Sequence, residues 1–495
     1  MNFKLWFCAL RFQFFAICPI RDTQYEKKVE LYLMIEKKLH IHFIGVGGSG
    51  MSGLASILLD SGHKISGSDI VTSKITKRLA DKGATIFKGH NEDNVEGADL
   101  IVVSSAIPES NSEIKGARDR KITIIKRAEM LAKLMDNKYG IAIAGTHGKS
   151  TTASMISLLL ERSGLDPTVV VGGELNNFKK NAKLGKGNHI VVEADESDGS
   201  FLELNPRMAI VTNIEDDHLD HYENVENIIK DFRKFIDKVP NNGRIILCKD
   251  CDNVKRLIKE YGKSHVSYGI FTKADLMAKD IELDKLNSKS KIYWQGEKIG
   301  DLCLKVAGYH NILNALAAIA VARELGISFR EIAKILETYK GVHRRMEIIA
   351  NLDDNILIID DYAHHPTEIK ATLSALRSSW QNRRIIAVFQ PHRYSRTKLL
   401  AEKFGKAFFD ADCVIINDIY SANESPIFGI SGGTIFREIK KTNHRQIKYL
   451  PSKDNILSYL YEIVQPGDII LTMGAGDIWT VGQELAKQLK KTKGF

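Results

Sequence analysis

Short apolar runs alternate along this chain with longer stretches whose apolar positions recur at helical spacing. That alternation predicts strands followed by helices, and hence mostly parallel sheets in an α/β protein. Three such blocks separate. The first opens with LHIHFIGVGGSGMSGLASILLDSGHKISGSD: an apolar strand, a glycine-rich turn, an amphipathic helix and a second strand ending at Ser68 and Asp69. Strands ATIFKG, DLIVVSSAI and ITIIK follow, and a helix around residues 129–135 closes the block near Asn137. The second block contains the strands of IAIAG, HIVVEADES, MAIVTNI and RIILC and ends with the helix of GYHNILNALAAIAVARELG. Between them, residues 268–306 alternate polar and apolar positions, which predicts a small antiparallel excursion. The third block starts near His343, with strands in NILIIDDYA, RIIAVFQP, CVIIND and GDIILTMGAG, and reads as a smaller doubly wound domain.

The first thirty-three residues break this pattern. They are aromatic and apolar but interrupted by Arg11, and their apolar runs are too short for a spanning helix. No small-residue cleavage site follows. Met34 precedes the first clear strand, so the reading favoured here is a start at Met34 with residues 1–33 as an upstream in-frame extension. The expected domains are then 34–137, 138–342 and 343–495.

A length of 495 residues suits several domains, and a net charge of +9 suits anionic small molecules as well as solvated lysines. No arginine-rich stripe with interleaved aromatics is present, which argues against nucleic acid. Six cysteines are scattered, and Cys248 and Cys251 form a lone CxxC without the second pair that a zinc ribbon needs. Reduced cysteines of a cytoplasmic protein are the expectation.

The chemistry concentrates at strand ends. Gly45, Gly47 and Gly50 form GxGxxG between strand and helix, with Asp69 about twenty positions on, the Rossmann-type fingerprint. A helix N-terminus there binds a diphosphate whatever it carries. IAIAGTHGKSTT is more specific. Gly145, Thr146, His147, Gly148, Lys149, Ser150 and Thr151 join a buried strand to a helix as a P-loop would. The longer Walker spacing requires glycine at position 143, where Ile143 stands, so this is the shorter GxxGK[ST] form. Two phosphate sites in one chain favour ATP-driven chemistry on a diphosphate-bearing substrate.

VVEADESDGSF ends a strand in Glu193, Asp195, Glu196 and Asp198, and such a carboxylate cluster calls for cations, Mg²⁺ by its oxygen chemistry, unless it is a solvated turn. His218 stands in the next strand-end cluster. His310, Asn311 and Asn314 open a helix, where the amides suit either an adenine edge or helix capping. Arg344 and Arg345 suit a transferring phosphoryl group. Asp360, Asp361, His364 and His365 end one strand of the third block, and His392, Arg393, Tyr394 and Arg396 the next.

In series, IHFIGVGGSGMSGLA, GTHGKSTT, EADESDGSF, TNIEDDHLDHY, GYHNILNALAA, GVHRRME, DDYAHHPTE, FQPHRYSRT and MGAGDI resemble the motifs of the Mur ligase family. The resemblance runs from about Leu39 into the C-terminal region. It implies a Rossmann-like N-terminal domain for a UDP-sugar, a P-loop-type central ATPase domain and a C-terminal domain that closes with the amino acid. It implies attachment of L-alanine to the carboxylate of UDP-N-acetylmuramate through an acyl phosphate, in cytoplasmic peptidoglycan synthesis, by a monomer or weak homodimer with no stable membrane insertion. Ligation of a preformed tripeptide to the same sugar is the alternative, and a UDP-sugar-binding regulatory protein without turnover is another.

Residue by residue, the resemblance places Gly45, Gly47, Gly48, Ser49, Gly50, Met51, Ser68, Asp69, Ser104 and Ser105 around the UDP-sugar. It places the P-loop residues with His310, Asn311, Asn314, Arg345 and Asp361 around ATP. Lys149, His218 and Arg345 are the catalytic candidates, and Mg²⁺ falls to Ser150, Glu193 and His218, with Glu196 the alternative to Glu193. His364, His365, His392, Arg393, Tyr394 and Arg396 serve closure and the amino acid.

Overall fold

A computed structural model describes residues 37–492 apart from 179 and 445. The proposed start at Met34 and the segment before it lie outside the described residues. The chain forms two compact units that divide between Arg127 and Ala128.

The first unit holds an all-parallel sheet of β1 (His40–Ile44), β2 (Lys64–Asp69), β3 (Thr85–Lys88), β4 (Leu100–Val103) and β5 (Thr123–Lys126), in the order β3-β2-β1-β4-β5. The helix Ser49–Asp60 follows β1 and buries Met51, Leu54, Ile57 and Leu58. The C-terminal ends of β1, β2 and β4 therefore meet along one edge, where such sheets bind ligands.

The second unit carries two sheets. The larger has β6 (Tyr139–Ala144), β7 (Thr168–Leu175), β8 (Lys180–Lys183), β9 (His189–Glu193), β10 (Met208–Val211), β11 (Arg244–Cys248), β12 (Val266–Gly269), β13 (Leu276–Asp284), β14 (Asn287–Trp294) and β15 (Glu297–Leu304). Their order is β15-β14-β13-β12-β11-β10-β6-β9-β7-β8. β13 to β15 are the antiparallel excursion. The strand β6 lies between β9 and β10, parallel to both. The helix Tyr309–Glu324 is buried along nearly its whole length, from Asn311 to Ala322, because small alanines let it lie close to its neighbours. It shares a core with the helix Lys149–Arg162.

The smaller sheet has β16 (Glu347–Leu352), β17 (Ile356–Asp361), β18 (Ile385–Phe389), β19 (Cys413–Ile416), β20 (Ile447–Tyr449) and β21 (Ile469–Met473), in the order β16-β17-β21-β18-β19-β20. All pairs are parallel except β16 with β17. Five strands escaped the sequence pattern: β7, interrupted by glycines, the polar β8, the short parallel β12, and the edge strands β16 and β20. Edge strands bury one face at most, so their apolar runs are weak. Among the described residues no helix is long and apolar enough to cross a membrane.

Candidate active site

The strand β6 runs into the loop at Gly145, whose φ of 136° places its Cα against Thr212. A Cβ there would stand 2.0 Å from Thr212 Oγ1. Gly148, at φ 79°, faces Asn314, whose Oδ1 would be 2.5 Å from an added Cβ. Both glycines are thus required by close approach and by backbone conformation. The strand end after β10 staples the loop. Asn213 accepts Thr146 N–H through its carbonyl at 3.1 Å and His147 N–H through Oδ1 at 2.8 Å. Thr212 donates its hydroxyl to the His147 carbonyl at 2.6 Å. The helix that follows is capped by Gly148 without a side-chain bond, so its first-turn N–H groups remain to meet an anion.

Lys149 Nζ donates to Gly145 O at 2.6 Å and to Glu196 Oε1 at 2.7 Å. Burial works against its charge, but Glu196, Glu193 and Asp195 outweigh burial and hold the ammonium charged. Ser150 Oγ lies 2.9 Å from both carboxylate oxygens of Glu193, which also accepts Gly172 N–H at 2.7 Å. The two acidic candidates thereby separate: Glu193 belongs with Ser150, and Glu196 with Lys149. Asp195 and Asp198 cap turns, accepting Ser197 N–H and Ser200 N–H. Glu196 Oε2 is buried with no hydrogen-bond partner, and burial pushes its carboxyl up. An orphaned carboxylate oxygen just past the strand end that supplies Glu193 fits a divalent cation of Mg²⁺ type. His218 sits in the left-handed region at φ 55°, and burial lowers its pKa toward the neutral form that ligates metals.

The third sheet faces this loop. Arg344 is committed to its own domain: it donates to Asp360 Oδ2 at 2.8 Å, Gly476 O at 3.0 Å and Gly474 O at 2.7 Å. Arg345 instead donates to Glu368 Oε1 at 3.0 Å and lies over the Tyr362 ring. Asp361 is buried and takes Met346 N–H and Ala363 N–H, while burial pushes its carboxyl up to about 6. His310 is held down to about 4 by burial and by Arg345. Asn311 donates to Ala307 O at 2.7 Å, and Gly308 is the N-cap, so the capping alternative for Asn311 fails. Asn314 Oδ1 accepts the Thr152 hydroxyl at 3.2 Å beneath the loop.

Burial brings His364 to about 3 and His392 to about 4, so both rings are neutral, and they pack edge to face with centroids 5.9 Å apart. Arg396 Nη2 reaches Asp217 Oδ1 at 3.3 Å, across from the larger sheet. A cleft there is lined by Asp217, His218, Arg393 and Arg396, with Tyr394 at the start of the adjoining helix.

Sequence reasoning gave no part to Thr367 and Glu368, and counted Glu215 only as a member of the strand-end cluster of His218. Thr367 donates its hydroxyl to Glu215 Oε2 at 2.6 Å. Glu368 Oε2 accepts His364 N–H at 3.0 Å and His365 N–H at 3.3 Å, the second bond closing a capping box with His365. In the sequence it reads only as a helix start after His365 and Pro366.

In the first unit, Gly47 N–H donates to Asp69 Oδ2 at 2.9 Å, which closes the glycine turn onto the end of β2. Gly48 caps the helix without a side-chain bond, with Ser49 and Gly50 in its first turn. Ser104 and Ser105 follow β4 on the same edge. Two candidates are turned elsewhere: Met51 is buried in the core, and Ser68 donates its hydroxyl to Glu113 Oε2 at 2.5 Å. Glu113 is fully buried and also meets His90 Nδ1 at 2.8 Å, Asn94 Nδ2 at 2.6 Å and His42 Nε2 at 3.6 Å. Burial raises its carboxyl, yet these partners hold it at about 2.

Fold and site together define a three-sheet α/β protein with a short P-loop facing a third domain rich in histidine and arginine. The chain belongs to the Mur ligase family. Three family profiles match in order: the Mur ligase family catalytic domain at residues 40–139, the Mur ligase middle domain at 143–322 and the Mur ligase glutamate ligase domain at 344–476. A UDP-N-acetylmuramate–L-alanine ligase of Pelotomaculum thermopropionicum is 49% identical over 460 residues, 93% of this chain and 99% of that protein. One of Syntrophotalea carbinolica is 49% identical over 91% of this chain and 98% of its own length. The crystal structure of a UDP-N-acetylmuramate–alanine ligase from Thermotoga maritima superposes with a TM-score of 0.79 at 29% identity, covering 92% of this chain and all of the other. A murein peptide ligase from Psychrobacter arcticus gives 0.67 at 26%, covering 91% and 98%.

Proposed function

We propose that this chain is an ATP-dependent ligase that joins L-alanine to the carboxylate of UDP-N-acetylmuramate in peptidoglycan synthesis. The observation that carries the reading is near-full-length identity of 49% to ligases of that name. The P-loop opposite Arg345 and the histidines of the third domain supports it. In this reading the first block binds the UDP-sugar, residues 138–342 bind ATP and residues 343–495 bring the amino acid.

A carboxylate is a poor acyl donor because its leaving group would be oxide. Transfer of the γ-phosphoryl group to it supplies a better one, but two anions must then approach each other. Lys149 and Arg345 bring positive charge to that meeting point, and the first-turn N–H groups after Gly148 orient the phosphates. Ser150, Glu193 and His218 would hold Mg²⁺, which when bound neutralises charge on the phosphate oxygens. The alanine amine attacks the acyl phosphate, and the tetrahedral intermediate expels phosphate to leave the amide. The third domain, carrying His364 and His392 with neutral rings, excludes water that would hydrolyse the acyl phosphate. The protein acts in the cytoplasm as a monomer or weak homodimer.

The test is phosphate release from ATP with Mg²⁺ and UDP-N-acetylmuramate. Release that requires L-alanine supports the reading. Release only with L-Ala-γ-D-Glu-meso-diaminopimelate transfers the chain to tripeptide ligation, and release with neither leaves a UDP-sugar-binding protein without turnover.

A further inference from the structure

Where the P-loop meets the helix Pro366–Ser379, side chains from three separate segments converge. His147 Nε2 lies 3.5 Å from Glu215 Oε2, and His365 Nδ1 lies 3.8 Å from the same oxygen. The two imidazoles pack with centroids 4.8 Å apart. Neither His147 Nε2 nor His365 Nε2 has a hydrogen-bond partner, although both are buried. Nothing in the proposed ligase chemistry uses these orphaned nitrogens.

We propose that His147, Glu215 and His365 form a site for a zinc-class divalent ion that staples the third domain to the phosphate-binding loop. One ligand atom from each residue lies within 4.8 Å of the others. A tetrahedral zinc site with bonds near 2.05 Å spaces its ligand atoms about 3.3 Å apart, so the observed separations need only small side-chain shifts. Two imidazoles and one carboxylate match zinc and its neighbours and disfavour Mg²⁺, which takes oxygen ligands. The site is therefore chemically distinct from the oxygen-rich pair of Ser150 and Glu193.

The surroundings orient His147 and Glu215 for an ion, whereas His365 has to release the helix-cap bond in which its Nδ1 accepts Thr367 N–H at 3.4 Å. His147 Nδ1 faces Glu368 Oε1 at 3.5 Å, which leaves Nε2 for the ion. The Thr367 hydroxyl donates to Glu215 Oε2 and positions that carboxylate. Burial raises the carboxyls of Glu215 and Glu368, but His147, with Arg345 and His364 at Glu368, outweighs it, so both remain anionic. Glu215 and Glu368 stand on either side of His147, each 3.5 Å from one of its ring nitrogens, and a cation bound there takes the place of the proton that the two carboxylates otherwise hold on Nε2. Three protein ligands leave a fourth position open to water or a ligand oxygen. Because His147 and Glu215 belong to the larger sheet and His365 to the smaller, an ion here ties two domains together.

The test uses the full-length, metal-free protein without nucleotide, with Co²⁺ as the spectroscopic probe. One Co²⁺ per chain should bind with the intense visible bands of four-coordinate nitrogen–oxygen ligation, and stoichiometric Zn²⁺, but not millimolar Mg²⁺, should displace it. The bands should vanish in Glu215→Gln and His365→Ala, and Glu368→Gln should weaken binding by about tenfold. A pale six-coordinate spectrum, a near-ultraviolet sulfur band pointing to Cys248 and Cys251, or unchanged bands in His365→Ala would overturn the proposal. The wild-type spectrum decides the ligand class even if a variant fails to fold.

Discussion

Lys149 Nζ and Glu196 Oε1 stand 2.7 Å apart at the mouth of the P-loop, with both side chains largely withdrawn from solvent. The carboxylate occupies the ammonium, and Gly145 O shares it, so the loop is folded onto its own lysine. Phosphate binding in the proposed reaction would draw Lys149 away from Glu196. Lys149→Ala should lower phosphate release by roughly a thousandfold, the scale of losing a charged transition-state contact. A variant that keeps a tenth of wild-type turnover would remove Lys149 from the proposed chemistry.

The bond from Ser150 to both oxygens of Glu193 predicts a graded metal response. EDTA should stop turnover and excess Mg²⁺ should restore it. Ser150→Thr keeps the hydroxyl and should stay active. Ser150→Ala should raise the Mg²⁺ needed for half-maximal turnover by about tenfold, and Glu193→Gln, which also loses charge, by more. Identical Mg²⁺ titrations for wild type and both loss variants would show that this pair does not hold the ion.

Asp217 and Arg396 are a buried pair joining the larger sheet to the third domain, with side chains 10% and 8% exposed. Asp217→Asn strands the guanidinium, which costs about 3 kcal/mol when a buried pair loses one member. The third domain should then dock less firmly. Limited proteolysis should cut near residues 343–346 faster than in wild type, and equal cleavage rates would contradict this.

Glu113 sets an acid limit on the first unit. Its carboxyl sits at about 2 rather than near 4.5, because Ser68, Asn94, His42 and His90 surround it. A depressed carboxyl stabilises the folded state above its ordinary pKa, and that contribution fades as pH falls from 4.5 toward 2. The shift corresponds to about 3 kcal/mol at neutral pH. Glu113→Gln should therefore unfold at lower temperature at pH 7, with the gap to wild type narrowing in acid. A gap independent of pH would mean that packing, not ionisation, makes the difference.

Much of the site was legible because its parts are neighbours in the chain. Gly145, Gly148, Lys149 and Ser150 announce a strand, a turn and a helix start within a few residues, and GxGxxG does the same for Gly45, Gly47 and Gly50. The acidic end of β9 was legible as a cluster, though not which carboxylate served which partner. Glu113, Asn94 and His90 carried no signal, since each is a lone polar residue in an ordinary surface pattern. Glu368 was hidden in plain view as a helix cap.

The amino-acid sequence by itself determined the local devices: the left-handed glycine at 148, the uncapped helix start behind it, the alternation that builds parallel sheets, and the ordered motifs of the Mur ligase family. These depend on residues a few positions apart, whose geometry is set by backbone sterics and hydrogen bonding. Only the tertiary structure decided that Glu196 holds Lys149, that Glu193 holds Ser150, that Arg344 serves its own domain while Arg345 faces Glu368, and that His147 meets His365. Those pairings join positions far apart in the chain. Strand order and the docking of one sheet against another bring them together, and no local pattern encodes either.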